Sequence, residues 1–202
     1  MIIIKNKQGF SLLELLLAIG IFSILITVVA GIYIAFSKTQ TEVRASQRLL
    51  NDSQYAMEIM AREIRNNVIF DFEPTIADCN AFLGVNYNTC IILQREDKSL
   101  VAFTTYNNIL YHIILTCNDD YSSCSWATSQ NDYTYLLSPY TDQVQVEDLD
   151  FHISPSIDPY QGDIDEQPRV TIKLKTRYYS TKVVEQVSHN LQTTVSSRIY
   201  RR

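Results

Sequence analysis

Glu14 is the single charged side chain in residues 10–36, a stretch of 27 residues. The chemistry that it offers is that of an unpaired negative charge in apolar surroundings. A lone carboxylate near the end of a membrane-spanning helix costs a few kcal/mol on insertion scales, so such a residue marks a functional position by default. Glu14 is therefore the first candidate site residue.

The four cysteines, Cys79, Cys90, Cys117 and Cys124, form neither a CxxC motif nor a Cys/His zinc pattern. Disulfide formation is the better interpretation. Proximity in sequence pairs Cys79 with Cys90 and Cys117 with Cys124, each closing a short loop that stabilises the fold by about 2 to 3 kcal/mol. Four cysteines allow three connectivities, so this pairing is a hypothesis. Buried free thiols in a reducing compartment are the alternative.

The other side chains with chemical potential form no enzymatic pattern. His112, His152 and His189 lie on or beside predicted strands, and we expect surface histidines with satisfied hydrogen bonds. No G-x-S-x-G, H-E-x-x-H or P-loop motif occurs in the sequence. Residues 158–166 are rich in carboxylates but lack EF-hand spacing. We therefore expect neither an enzyme nor a cofactor, with calcium binding by this loop as the alternative.

Composition indicates a folded chain without a nucleic-acid partner. Hydrophobic residues make up 46% and charged residues 19% of the 202 positions, which is the balance of a folding protein. The net charge is −5, and loss of Lys5 and Lys7 with residues 1–9 changes it to −7. A negatively charged protein does not attract nucleic acid by its bulk charge.

Residues 10–36 predict a membrane-spanning helix. A helix of 27 residues reaches about 40 Å, which exceeds the roughly 30 Å hydrocarbon core of a bilayer. Lys5 and Lys7 on its N-terminal side favour a cytoplasmic N-terminus, with the bulk of the chain outside the inner membrane. A secretory signal would have a shorter apolar core that precedes its cleavage site. We therefore expect this helix to stay on the mature protein.

Residues 7–14, Lys-Gln-Gly-Phe-Ser-Leu-Leu-Glu, resemble the class III signal of type IV prepilins and type II secretion pseudopilins. The resemblance implies cleavage between Gly9 and Phe10 by a prepilin peptidase, N-methylation of the new Phe10 amine, and a glutamate at the fifth mature position, which is Glu14. It also implies assembly with other pilin or pseudopilin subunits. An unpaired carboxylate and an unpaired ammonium are each unfavourable in an apolar filament core, whereas adjacent they offset one another.

Two alternatives apply to the same segment. In a plain signal anchor, Glu14 would lie at the level of the lipid headgroups without a function. Such an anchor could carry an extracytoplasmic ligand-binding or sensory module that is never assembled into a filament, or an extracellular enzyme. The ligand-binding or sensory module would not be processed at Gly9. The enzyme would have a hydrolytic or metal-binding constellation in the head, and none is visible in the sequence.

Residues 37–68 predict an amphipathic helix that continues from the membrane segment, since they contain neither Pro nor Gly. The predicted apolar face consists of Val43, Leu50, Met57, Met60, Ile64 and Val68. Positions 46, 53 and 67 are Ser, Ser and Asn, which are too polar for a good coiled-coil seam. Packing on a sheet is therefore favoured over a homo-oligomeric coiled coil. Residues 50–65 also resemble the corresponding helix of minor pilins and J-type pseudopilins.

Beyond residue 70 the pattern changes to period two, with turn residues between short apolar runs. We expect strands at 90–94, 100–106, 109–116, 144–153, 170–177 and 191–199, a tight turn at Asn107-Asn108, and a bulge or turn near Glu147 and Asp148. Residues 191–198 resemble the last strand of minor pilin heads. The predicted fold class is α+β, with a long N-terminal helix packed on an antiparallel head.

The sequence thus predicts four segments: a leader at 1–9, a transmembrane or filament-core helix at 10–36, an amphipathic helix at 37–70 and a β-rich head at 71–202. Together with the resemblance, they indicate a minor pilin or pseudopilin. We expect its head to lie outside the inner membrane, in a pilus or pseudopilus after assembly.

Overall fold

The computed structural model describes residues 11–70, 89–117, 124–126, 133–135, 137, 144–155, 167–179 and 186–197. Gly9, Phe10, Cys79 and the acidic loop at 158–166 lie outside these ranges. The side chain of Cys124 lies outside them as well, although its backbone is described. The chain divides into two units, Met1–Val43 and Arg44–Arg202.

Helix α1 runs from Leu12 to Asn66. Ser11 precedes it, and the carbonyl of Ser11 accepts hydrogen bonds from the amides of Glu14 and Leu15 at 3.1 and 3.2 Å. Ser-x-x-Glu is the spacing of a capping box, and a carboxylate in the first turn interacts favourably with the helix dipole. The start of the helix therefore follows from local sequence.

In the first unit, every described residue of α1 is exposed. Large apolar side chains point outward on all sides of residues 12–36, with exposed fractions between 51% and 78%. A helix that is hydrophobic all round is normally buried in lipid or in protein. This half of α1 is the one helix among the described residues that is long and apolar enough to cross a membrane.

In the second unit, α1 packs on antiparallel strands, as predicted. The buried helix positions are Ala45, Leu49, Ser53, Ala56, Met57, Met60, Ala61 and Ile64. The predicted apolar face was wrong at its N-terminal end, where Leu49 replaces Leu50 in the core and Val43 is 47% exposed. Seven residues fall about 20° short of two helical turns, so a strict seven-residue repeat drifts off the buried face of a straight helix.

Two serines of α1 form hydrogen bonds to strands of the head. Ser46 Oγ lies 3.1 Å from His189 Nε2, and the buried Ser53 Oγ lies 2.8 Å from Thr176 Oγ1. Just beyond the helix, the backbone carbonyl of Asn67 accepts a hydrogen bond from the Ser197 hydroxyl at 3.0 Å, while the Asn67 side chain donates to Glu63. Two of the three positions that argue against a coiled coil, 46 and 53, therefore bond to strands through their side chains.

The first sheet has the strand order β1-β2-β3-β4-β5, and β6 also pairs with β4; all pairings are antiparallel. The strands are β1 Val68–Ile69, β2 Cys90–Gln94, β3 Leu100–Tyr106, β4 Ile109–Cys117, β5 Cys124–Trp126 and β6 Tyr133–Tyr135. The sequence predicted β2, β3 and most of β4. It did not predict β1, β5 and β6, which have at most three residues each and are too short for a periodic signal.

The two described turns of the first sheet, which flank β3, have local causes. Asn107 and Asn108 have φ values of 49° and 63°, as the predicted two-residue hairpin turn requires. Between β2 and β3, Asp97 Oδ1 accepts hydrogen bonds from the Ser99 amide at 2.9 Å and the Ser99 hydroxyl at 2.6 Å. These bonds hold the pKa of Asp97 below its ordinary value.

The second sheet consists of β7 Val144–Ser154, β8 Arg169–Tyr178 and β9 Val187–Ser196, in that order and antiparallel. Its register shifts between Val146 and Asp148, which confirms the predicted bulge. The last strand begins earlier than predicted, at Val187 instead of residue 191. The inward residues of these strands pack with α1 and the first sheet in one hydrophobic core.

Candidate functional site

Glu14 is held in the first turn of α1, surrounded by exposed leucines at positions 12, 13, 15, 16 and 17. Two hydroxyl side chains of the apolar stretch, those of Ser23 and Thr27, are satisfied within the helix. Ser23 Oγ donates to the carbonyl of Ile19, and Thr27 Oγ1 donates to that of Ile24, both at 2.8 Å. In an apolar environment, Glu14 is therefore the group that most needs a partner from outside its own helix.

The structure does not place the predicted partner of Glu14, because Gly9 and Phe10 precede the described residues. Cleavage at Gly9, the Phe10 amine and its pairing with Glu14 stay predictions. The local geometry is compatible with them, since the Glu14 side chain lies on an exposed part of the helix that a second chain can reach.

The cysteines of the described strands are not free thiols. Cys90 and Cys117 are each disulfide-bonded. The backbone of Cys117, at the end of β4, lies opposite that of Cys124 of β5 in the antiparallel register. This register is compatible with the predicted pair, while the pairing itself stays a prediction.

His112 differs from the expectation of a satisfied surface histidine. Its ring stacks on Phe103 with a centroid distance of 5.0 Å, and Nε2 is buried without a hydrogen-bond partner among the described residues. Burial lowers the pKa of His112; nearby Glu63 opposes this effect and Arg95 adds to it. Glu63 itself pairs with Arg95 at 3.2 Å.

The other two histidines differ from His112. His189 faces α1, where Ser46 is its partner, and His152 is exposed on β7. The described residues contain no group of three or more His, Cys, Asp or Glu side chains arranged to hold a metal.

An oxygen-rich cavity of about 230 Å³ lies where the Asn107-Asn108 turn meets the bulge of β7, and its lining includes Glu147 and Asp148. The carboxylate of Glu147 is already paired with Lys175 at 2.9 Å and Arg177 at 2.6 Å. The hydrogen bond from Lys175 is the main cause that lowers the pKa of Glu147. Because two cations neutralise this carboxylate, the cavity is a poor metal site.

Residues 4–30 match the family described as the Prokaryotic N-terminal methylation motif. No curated protein and no solved structure matches the chain. The match includes Gly9, Phe10 and Glu14 and ends within the apolar half of α1. The motif and the apolar helix together indicate a membrane-anchored protein. The chain thus carries a type IV prepilin-like N-terminal signal on an α+β, pilin-like architecture in which a long N-terminal helix packs on antiparallel sheets.

Proposed function

We propose that this protein is a minor pilin or pseudopilin, a structural subunit of a type IV pilus or a type II secretion pseudopilus rather than an enzyme. The observation that carries the proposal is the methylation motif at residues 4–30, which overlaps a helix whose apolar side chains are exposed on every side. A helix of this kind needs lipid before assembly and other apolar helices after it.

In this proposal, a prepilin peptidase cleaves between Gly9 and Phe10, and the new Phe10 amine is methylated. Methylation of the amine preserves its positive charge, so it can still pair with a carboxylate. Within the filament, Glu14 of one subunit would meet the Phe10 amine of its neighbour, which offsets two charges that are unfavourable in an apolar core. The N-terminus is cytoplasmic before processing, and the head lies outside the inner membrane.

We also propose that the head contains two disulfides, Cys79–Cys90 and Cys117–Cys124. The disulfide-bonded state of Cys90 and Cys117 and the register of Cys117 with Cys124 support this pairing. Disulfides of this kind form in oxidising compartments, so the pairing fits a head outside the cytoplasm.

The decisive experiment is mass spectrometry of the N-terminus of the protein isolated from a host that contains a prepilin peptidase. We expect a chain that begins at Phe10 with a methylated amine. A Gly9→Leu variant, which removes the residue before the cut, should keep its leader. An intact leader on the natural chain, or a cut elsewhere, would contradict the proposal.

A further inference from the structure

Strand β9 forms an edge of the second sheet that no described residue protects against strand addition. It pairs with β8 on one side, and no described strand pairs with its other side. Its ten residues include no Lys, Arg, Asp, Glu or Pro, and its register with β8 is regular throughout. Natural edge strands usually carry a charge, a proline or a bulge that blocks further pairing.

An open groove of about 570 Å³ lies between this edge and α1. Met57, Ala61 and Leu191 form its apolar part, and Tyr55, 62% exposed, stands at its rim. The strand residues that line it all belong to β9 and none to β8, so the groove opens at the sheet edge. A groove between a helix and an edge strand is an arrangement that binds extended peptides by adding a strand.

The charges of the groove define the ligand further. Glu58 and Arg65 line it at positions separated by seven residues of α1, or about 10 Å along the helix. Helix and strand run in the same direction, since Ser46 meets His189 near the start of β9 and Asn67 meets Ser197 just beyond its end. Arg65 therefore lies toward the C-terminal end of β9, and Glu58 lies nearer its middle.

We propose that β9 and α1 form a docking site for an extended strand of a neighbouring, different filament subunit. On its groove side this strand has an acidic residue that meets Arg65, an apolar residue that covers Ala61, and a basic residue that meets Glu58. Strand side chains on one side are two residues apart, so these three stand at positions i, i+2 and i+4. The identity of the occupant as a filament subunit rests on the proposed function; the groove and its ligand chemistry do not.

A second copy of β9 fits the groove less well. Its own groove-facing side carries no carboxylate or ammonium group. Pairing of two β9 strands would therefore leave Arg65 and Glu58 of both copies without charge partners at a desolvated rim, which is unfavourable.

The test uses the full-length chain in lipid nanodiscs and a fluorescent blocked heptapeptide, Thr-Asp-Thr-Val-Thr-Lys-Thr, whose order suits the more stable antiparallel ladder. We expect saturable binding by fluorescence anisotropy. Replacing its aspartate by lysine should weaken binding to the natural chain by about 3- to 10-fold, because attraction to Arg65 becomes repulsion. The variant Arg65→Glu should reverse that preference by a similar factor. Arg62→Glu, an exposed position outside the groove lining, should leave the preference unchanged.

A second measurement separates strand addition from side-chain adhesion. Along a strand, alternate backbone amides point to opposite sides. N-methylation of one alternate set of amides in the heptapeptide should therefore abolish binding, and methylation of the other set should leave it intact. Equal effects of the two sets would overturn the proposal, as would an absence of binding or a preference that Arg65→Glu does not reverse.

Sedimentation of the same nanodisc samples shows whether the chain associates with itself. If the chain associates with itself and the heptapeptide does not bind, the occupant is a second copy and the proposal is overturned. A monodisperse chain that binds the heptapeptide supports it. These results are independent of processing at Gly9. If the heptapeptide does not bind, the proposed function is not affected. If the leader stays intact, the proposed groove and its ligand chemistry are not affected.

Discussion

Ser53 Oγ of α1 and Thr176 Oγ1 of β8 form a hydrogen bond of 2.8 Å in the protein core, where both residues are fully buried. Two hydroxyl groups therefore lie within an apolar interface, each satisfying the other. A buried polar group that loses its partner costs about 1 to 3 kcal/mol, whereas replacing both partners by apolar groups is close to neutral.

The first prediction concerns this pair. Thr176→Val should destabilise the head by about 1 to 3 kcal/mol, because it leaves the Ser53 hydroxyl buried without a partner. The double variant Ser53→Ala with Thr176→Val should recover most of that loss. Urea unfolding, followed by circular dichroism, measures the free energies of unfolding of the single and the double variant. Thr171→Val, at an exposed hydroxyl pair on the outer side of the same strand, is the matched control and should have a small effect. A double variant less stable than Thr176→Val would contradict this account.

The second prediction is a pH dependence that arises from His112. Because its pKa in the folded state lies below 6.5, the unfolded chain takes up a proton first as the pH falls. Stability contributed by neutral His112 is thus present above pH 6.5 and is lost below it, by at most about 1.4 kcal/mol per pH unit. His112→Phe should remove this contribution to the pH dependence of the free energy of unfolding. His152→Phe, at an exposed position, should retain it. The measurement is the free energy of unfolding between pH 5 and 8. If His112→Phe shows the same pH dependence as the natural chain, His112 is not its cause.

The third prediction concerns the turn between β3 and β4. Asn108 has a φ of 63° and its carbonyl accepts a hydrogen bond from the Val146 amide at 2.8 Å. Asn108→Gly should be tolerated, because glycine adopts this conformation freely. Asn108→Val should cost about 1 to 2 kcal/mol, since a β-branched side chain is strained there. Asn190→Val, on an exposed strand position, is the control. Equal unfolding midpoints for the Val and Gly variants at position 108 would show that turn strain is unimportant.

The fourth prediction tests the assembly role of Glu14. Glu14→Ala should leave cleavage before Phe10 largely intact and should impair recruitment to the filament, because the Phe10 amine of the neighbouring subunit loses its partner. Glu42→Ala removes a carboxylate from an exposed position of the same helix and should assemble normally. Immunoblots of sheared filaments against membrane fractions measure the difference. Normal incorporation of Glu14→Ala would exclude the pairing role.

The fifth prediction concerns the cysteines. A thiol assay on the denatured, non-reduced protein should detect no free thiol, and peptide mapping should recover the pairs Cys79–Cys90 and Cys117–Cys124. Cys117→Ser should then expose a single thiol, at Cys124. Detection of Cys90 linked to Cys117 would contradict the proposed connectivity.

Elements with a local cause were predictable. The apolar stretch of α1 required only composition and length, and the Asn107-Asn108 turn required only residues that tolerate positive φ. The bulge at Glu147 and Asp148 was visible because the period-two pattern changes its buried frame there. Each of these signals lies within about ten residues of the feature it predicts.

Elements that depend on distant pairing were not predictable. Strand β1 has two residues and exists because β2 pairs with it. His112 is half-buried, with its Nε2 covered, because β4 places it opposite Phe103, and the sequence of β4 alone does not distinguish that position from a surface one. The predicted apolar face of α1 was likewise wrong at its N-terminal end, because the sheet selects the buried side of a helix that carries apolar residues on more than one side.

The sequence by itself determined the prepilin-like signal, the membrane helix and the α+β class, because a lone carboxylate in an apolar run and the change from helical to period-two patterning are local properties of the chain. Tertiary structure alone decided which polar residues of α1 bond to strands, and that β9 forms an open edge of the described sheet beside a charged groove. Those features depend on the register between segments more than 100 residues apart, such as Ser53 and Thr176, and register is set by the packing of the whole core.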